Sequence, residues 1–426
     1  MPHRLSAWEA SRRLARRELS AEALMQSCLA HIARREPAVR AFAHLDADGA
    51  LAQARRLDAG AWQGLLHGLP LGVKDIIDTA ELPTACGTPV YAGRRPGADA
   101  AVVALCREAG GVVAGKTVTT ELANMSPGPT ANPHRPGHSP GGSSSGSAAS
   151  VADQMLPLAL GTQTAGSLIR PAAYCGVVGY KPSLGRVPRA GVKAVAEALD
   201  VVGGFGRTVR CVALLAAVLA GDRRLVGWAD DPPAEAPRIG LAPTPDAAEA
   251  GPDIHALWAR TATALAGVAP VREARLPSQF AALVPAQKVV MAYEAARSLA
   301  HERVRHAAAL STPLRTLLDE GWRIPAAEAD AARATARLVG AEVDALFDDH
   351  DVLLAPSTHG EAPAGLDHTG DPLFCRSWSL LGLPCVHLPM GTGTLGLPIG
   401  LQLVGRFGDD ARLLAAAHWV HQRLGH

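Results

Sequence analysis

The chain has 426 residues, a formal net charge of +1 and 48% hydrophobic residues, enough for a sizeable core in one large domain or two to three ordinary ones. With this near-neutral balance nothing suggests a polyanionic partner. The seven cysteines form no CxxC pair, which argues against a disulfide framework or structural zinc, and no run reaches the ~18 apolar residues of a membrane span.

The first sixty residues predict helix. In "SAWEASRRLARRELSAEALMQSCLAHIARREP", Ser6 and Glu9 have the spacing of a capping box, and Ser20 is placed to cap a second helix with Glu22 in its first turn. "ALAQARRLDAG" is a further helix, stopped by Gly60. No apolar stretch follows the N-terminal arginines, so a secretory signal is not expected. From residue 70 the texture changes. "PLGVKDIID" predicts a short strand, "DAAVVALCREAG" a helix and "GVVAGKT" a buried strand. Residues 123–147, rich in Pro, Gly, Asn and Ser, have no periodicity and predict a long loop. "VADQMLPLALGTQTAG" restores apolar character and "CGVVGYKPS" is another buried run. Residues 225–350 are mainly helical by period and alanine content. "DVLLAPS", "CVHLPMG" and "PIGLQLVGR" then predict strands, and "DDARLLAAAHWVHQRL" a closing helix. Helices alternating with short apolar strands favour an α/β architecture with a covered sheet.

Two motifs match in letters and fail in context. Gly110-x-x-x-x-Gly115-Lys116-Thr117 fits the P-loop pattern, yet a helix precedes it and its interior "VVA" has strand character. In "HERVRH", His301 and His306 are five apart, one more than the spacing of a zinc-binding helix, which turns the second ring away. No metal site is supported, and no cofactor is expected.

"GGSSSGSAASVADQMLPLALGTQTAGSLIRPAAYCG", residues 141–176, is almost bare of side chains. Small residues let backbone amides crowd round a ligand atom, and the N–H groups of Gln163 to Ser167 could hold the oxyanion formed when a carbonyl is attacked. A serine nucleophile needs a base. The conspicuous basic residue is Lys74, set among Leu71, Val73, Ile76 and Ile77. Burial there would lower its pKa enough to leave it neutral. A lysine merely paired with Asp75 or Asp78 is equally open on these grounds.

Residues 65–210 and 350–422 resemble the amidase signature family. The resemblance rests on "GVKD" at Lys74, "GGSS" at Ser143, "GTQTAGS" ending at Ser167, "CGVVGYKPS" and "GLPIGLQLVGR". It implies an α/β fold with a central mixed, twisted sheet covered by helices on both faces. It also implies Lys74 as base, Ser143 on a cis peptide bond as proton bridge and Ser167 as nucleophile. The oxyanion hole would be the N–H groups of Thr164, Ala165, Gly166 and Ser167, with Ser144 and Gln163 in support. One domain over 1–426 is expected, with a core of 65–225 and 350–426. The helices of 1–64 precede it, and 225–350 would line or cover the substrate site.

The chain departs from the commoner "GTDxGGSIRxP" at Gln163 and Ala165, and its arginine lies three places beyond the nucleophile. Ser145 replaces another family glycine. "TQTxGSxIRP" looks like the malonamidase branch, which implies that Arg170 grips the carboxylate of a small half-amide; the competing role is to organise the loop. Other members imply alternatives: the catalytic component of a tRNA-dependent amidotransferase, which needs partner proteins; a hydrolase of aryl or alkyl amides, esters or carbamates; or a non-catalytic interaction protein. The expected partner is a small-molecule amide, with neither nucleic acid nor membrane, a homodimer being allowed, in the cytoplasm.

Overall fold

The computed structural model describes residues 1–424. Its strands are β1 (Phe42–Leu45), β2 (Pro70–Lys74), β3 (Val112–Thr117), β4 (Leu158–Gln163), β5 (Val178–Lys181), β6 (Val201–Gly206), β7 (Ile239–Leu241), β8 (Val271–Glu273), β9 (Val352–Pro356), β10 (Cys385–Thr392) and β11 (Pro398–Val404). They form one sheet in the order β1-β3-β2-β4-β6-β5-β10-β11-β9-β7-β8. β2 runs parallel to both β3 and β4, and β7 runs parallel to both β8 and β9, while the remaining pairs are antiparallel. The expected mixed α/β sheet flanked by helices is therefore present. Every residue of β2, β3, β4 and β6 is buried, because helices cover the sheet; these strands accordingly have no polar alternation.

The N-terminal capping box forms as expected. The Ser6 hydroxyl accepts from the Glu9 N–H at 3.2 Å, and the Glu9 carboxylate accepts from the Ser6 N–H at 2.9 Å. Ser20 caps the helix Ala21–Val39 and Gly60 ends the helix Ala47–Ala59. The helical reading of this region missed β1, a four-residue edge strand lodged between two helices. It also missed β6, whose "VVGGFG" is glycine-rich, and the three-residue strands β7 and β8, too short to carry a period. Residues 225–350 are otherwise helical, as Pro252–Ala266, Leu283–Ser298, Ala300–Arg305, Thr312–Arg323 and Ala326–Ala345. The 123–147 loop ends slightly early, where the helix Ser145–Ala152 begins.

Lys116 of the P-loop-like run lies in β3, buried, with Nζ bonded to the Ile77 carbonyl at 2.8 Å and Thr84 Oγ1 at 2.5 Å, which is a structural lysine. His301 and His306 correct the sequence reading, because their Nε2 atoms lie 3.2 Å apart. The helix stops at Arg305, and His306, at φ −131°, swings back beside its neighbour instead of following the helical rotation. All seven cysteines are buried free thiols, and no helix among the described residues is long and apolar enough to cross a membrane.

Candidate active site

β2 and β4 are parallel neighbours with Val73 opposite Leu160, so their C-terminal ends deliver Lys74 and Thr162 to one place. Lys74 Nζ donates to Ser143 Oγ at 2.7 Å and to Thr162 Oγ1 at 2.7 Å. Asp75 faces Lys116 at 3.4 Å and Asp78 pairs with Arg94 at 2.8 Å, so the reading of Lys74 as a simple ion-pair lysine does not hold. Lys74 is completely buried, and burial holds its pKa well below the ordinary lysine value, opposed by Asp200 and reinforced by Arg170. An amine so placed can stay neutral and take a proton.

Ser143 follows a cis Gly142–Ser143 peptide bond. The chain reaches it through Gly141 at φ +78°, where an added Cβ would lie 2.7 Å from Pro171 Cα. The serines that follow are ties, and they explain why this stretch is polar but buried. Ser144 Oγ donates to the Thr162 carbonyl at 3.2 Å and accepts from the Thr162 N–H at 3.3 Å. Ser145 Oγ reaches the Val118 carbonyl, and Ser147 Oγ reaches the Leu160 carbonyl at 2.8 Å. The helix Ser145–Ala152 is thus bound to β4 and to the end of β3. Gly146 permits that approach, since a Cβ there would sit 2.1 Å from the Ala41 carbonyl oxygen.

After β4 the chain turns through Thr164, Ala165 and Gly166 to Ser167, then enters the helix Ile169–Cys175. Gln163 organises the turn. Its Oε1 accepts from the Leu168 and Ile169 N–H groups at 2.8 and 3.1 Å, and its Nε2 donates to Ser379 Oγ at 2.9 Å. Ser379 Oγ in turn donates to the Ala165 carbonyl at 2.7 Å. The N–H groups of Thr164, Ala165, Gly166 and Ser167 have no acceptor among the described residues, so a run of four donors stands open beside a serine. Such an array can receive a developing negative oxygen.

Exposure rises along the constellation from 0% at Lys74 to 1% at Ser143 and 8% at Ser167, which puts Lys74 deepest. Ser167 makes no hydrogen bond to Ser143 here. A cavity of about 40 Å³ adjoins Thr162, Thr164 and Asp200, walled by Ile76, Val192, Ala194 and Val195. Arg170 is buried, and each of its three nitrogens faces backbone. Nε and Nη2 donate to the Gly142 carbonyl at 3.2 and 2.7 Å, and Nη1 donates to the Gly370 carbonyl at 2.5 Å.

Sequence reasoning missed the residues that support this turn from a distance. Asp200 Oδ1 accepts from Thr164 Oγ1 at 2.5 Å, and its Oδ2 accepts from the Val195 and Ala196 N–H groups. Gln287 Nε2 donates to the Thr164 carbonyl at 3.4 Å, and Arg376 Nη1 donates to Gln287 Oε1 at 2.5 Å. Only Asp200 carried a local signal, as a lone acid before the buried β6.

A serine beside open amides, with a buried amine behind it, is an arrangement suited to serine-dependent hydrolysis as a class of chemistry. The chain belongs to the amidase family, whose sequence pattern matches residues 23–414. It is similar to the A component of the glutamyl-tRNA(Gln) amidotransferase of Roseiflexus castenholzii, at 36% identity over 99% of this chain and 96% of that protein. Among solved structures it is similar to an amidase, with TM-score 0.91 and 30% identity over 99% of this chain and 100% of that one. It also resembles a chain of a vestigial complex tied to the origins of an s-triazine catabolic enzyme, with TM-score 0.90 and 28% identity over 99% of both chains. These similarities point to no malonamidase branch in particular.

Proposed function

We propose that the chain cleaves a carbon–nitrogen amide bond through an acyl-enzyme on Ser167. The observation that carries this reading is the fully buried Lys74 amine 2.7 Å from Ser143 Oγ, with no carboxylate bonded to it. Neutral Lys74 takes the Ser143 hydroxyl proton as Ser143 takes that of Ser167. Ser167 Oγ bonds to the amide carbon, and the carbonyl oxygen gains charge opposite the N–H groups of Thr164 to Ser167. Collapse breaks the C–N bond, and the proton returns through Ser143 to the departing nitrogen, which leaves as ammonia or an amine. Water then repeats the sequence and releases a carboxylate. No cofactor enters these steps.

For the substrate, the sequence favours a small amide that carries a carboxylate, such as malonamate. The relatives favour a second reading over malonamate: like the catalytic component of an amidotransferase, the chain would release ammonia for transfer and work with a partner. Both readings share the same first half-reaction on an acid-bearing amide. Ammonia release from malonamate, succinamate, glutamine and neutral amides by the purified chain separates them. Preference for glutamine supports the amidotransferase-like reading, preference for malonamate supports the first, and preference for bulky neutral amides removes both.

The three backbone contacts of Arg170 support a loop-holding part for it rather than the carboxylate grip. Arg170→Ala is therefore expected to lower kcat/KM for charged and neutral amides alike, by roughly tenfold or more, since hydrogen bonds from a charged donor are each worth about 1.5–3 kcal/mol. A loss confined to the charged substrate would return the carboxylate to Arg170.

A further inference from the structure

We infer that Arg376, aimed by Gln287, is the specificity-determining residue that receives the substrate's carboxylate. The inference rests on the reading of the substrate as an acid-bearing amide. The helix Leu373–Leu380 lies against the turn that carries the open amides: Ser379 Oγ bonds the Ala165 carbonyl, and a Cβ on Gly166 would lie 3.2 Å from Cys375 Cβ. Arg376, next to Cys375, reaches the helix Leu283–Ser298, where its Nη1 bonds Gln287 Oε1. Gln287 in turn bonds the Thr164 carbonyl. Two hydrogen bonds therefore join this guanidinium to the residues around the attacked carbonyl.

Its other edge carries no hydrogen bond. Nε is buried without a hydrogen-bond partner, Nη2 makes no hydrogen bond, and no carboxylate pairs with Arg376 among the described residues. The Nε–Nη2 edge presents two parallel donors, the arrangement that a carboxylate accepts with both oxygens. A partly buried guanidinium with no carboxylate bonded to it is stabilised when an anion docks on it. Burial pulls the Arg376 pKa down, with nearby Asp371 opposing, and the Arg376 charge lowers the pKa of Arg170. Asp371 itself is exposed. A substrate carboxylate on the Nε–Nη2 edge balances the two guanidiniums and fixes the distance from the acid to the attacked amide. Arg170 has no comparable open edge, since its Nε and Nη2 both face the Gly142 carbonyl.

The test is the ratio of kcat/KM for succinamate to that for butyramide, which has a methyl in place of the carboxylate, on one preparation so that any unfolded fraction cancels. Wild type is expected to favour succinamate. Arg376→Gln should lower the ratio by about 100-fold, mostly through KM for succinamate, because removing one member of a close charge pair has effects of this size. Arg376→Lys should recover part of it, keeping the charge without the fork. Gln287→Leu, which frees Nη1 without removing the charge, should lower the ratio by a smaller factor of about ten. An unchanged ratio in all three variants, with the wild-type preference intact, overturns the inference and leaves the substrate reading standing. Equal losses on both amides also overturn it, marking Arg376 as a support of the turn. A wild type that does not favour succinamate removes the acid-bearing substrate and the inference together.

Discussion

Ser167→Ala is expected to lower kcat by about 10⁶-fold, the scale on which loss of a serine nucleophile acts in a hydrolase whose groups work as a unit. The protein should still fold, because the Ser167 hydroxyl makes no hydrogen bond among the described residues and the turn is held by others. Gln163 caps the following helix, Ser379 holds the Ala165 carbonyl, and Asp200 holds Thr164. Removing this oxygen therefore deletes chemistry with little packing. What remains is binding and the open amides, so a residual rate above that of water is expected. A folded Ser167→Ala protein with near wild-type turnover would exclude Ser167 as nucleophile.

Lys74→Ala should lower kcat/KM by about 10²–10⁴-fold, the usual share of a positioned general base. Burial keeps this amine well below the ordinary lysine value, despite the opposing charge of Asp200. It is consequently neutral over a range in which a free lysine is charged. The active form is the deprotonated one, so activity should fall as pH drops through the pKa of the coupled Lys74–Ser143 group and level off above it. Lys74→Arg should be as damaged as Lys74→Ala, since a guanidinium stays protonated and cannot accept the proton. Retained activity in either folded variant, or an acidic limb that survives the loss of Lys74 unchanged, would place the base elsewhere.

Much of this site was legible because each part is a local run of sequence, while the meeting of Lys74 with Ser143 across 69 positions came from the motif resemblance alone. A lysine at the end of an apolar run becomes a buried strand-end amine, and the loop of small residues becomes two close-packed segments that bring Ser143 to Lys74. The motif resemblance added the cis bond before Ser143, which no pattern of residue chemistry suggested. What could not be read is what tertiary folding brings together. Thr164 and Gln287 meet across 123 positions, and Gln163 and Ser379 across 216. Nothing in the helical period of 225–350 or in "DPLFCRSWSL" singles out Gln287 or Arg376. Strands β6, β7 and β8 escaped for a different reason: glycine and brevity erase the alternation by which a strand is recognised. Arg170 shows the limit most clearly. Its place three residues after Ser167 left substrate contact and loop organisation equally open, and its nitrogens are turned to the Gly142 and Gly370 carbonyls.

Ser167 is the proposed nucleophile, with Lys74 activating it through Ser143. Treating the native protein with a fluorophosphonate, then locating the adduct by peptide mass spectrometry, tests this most directly. One adduct per chain is expected, on Ser167, forming in step with loss of amide hydrolysis and much more slowly in Lys74→Ala. An adduct on another residue that accounts for the lost activity, with Ser167 unmodified, would contradict it.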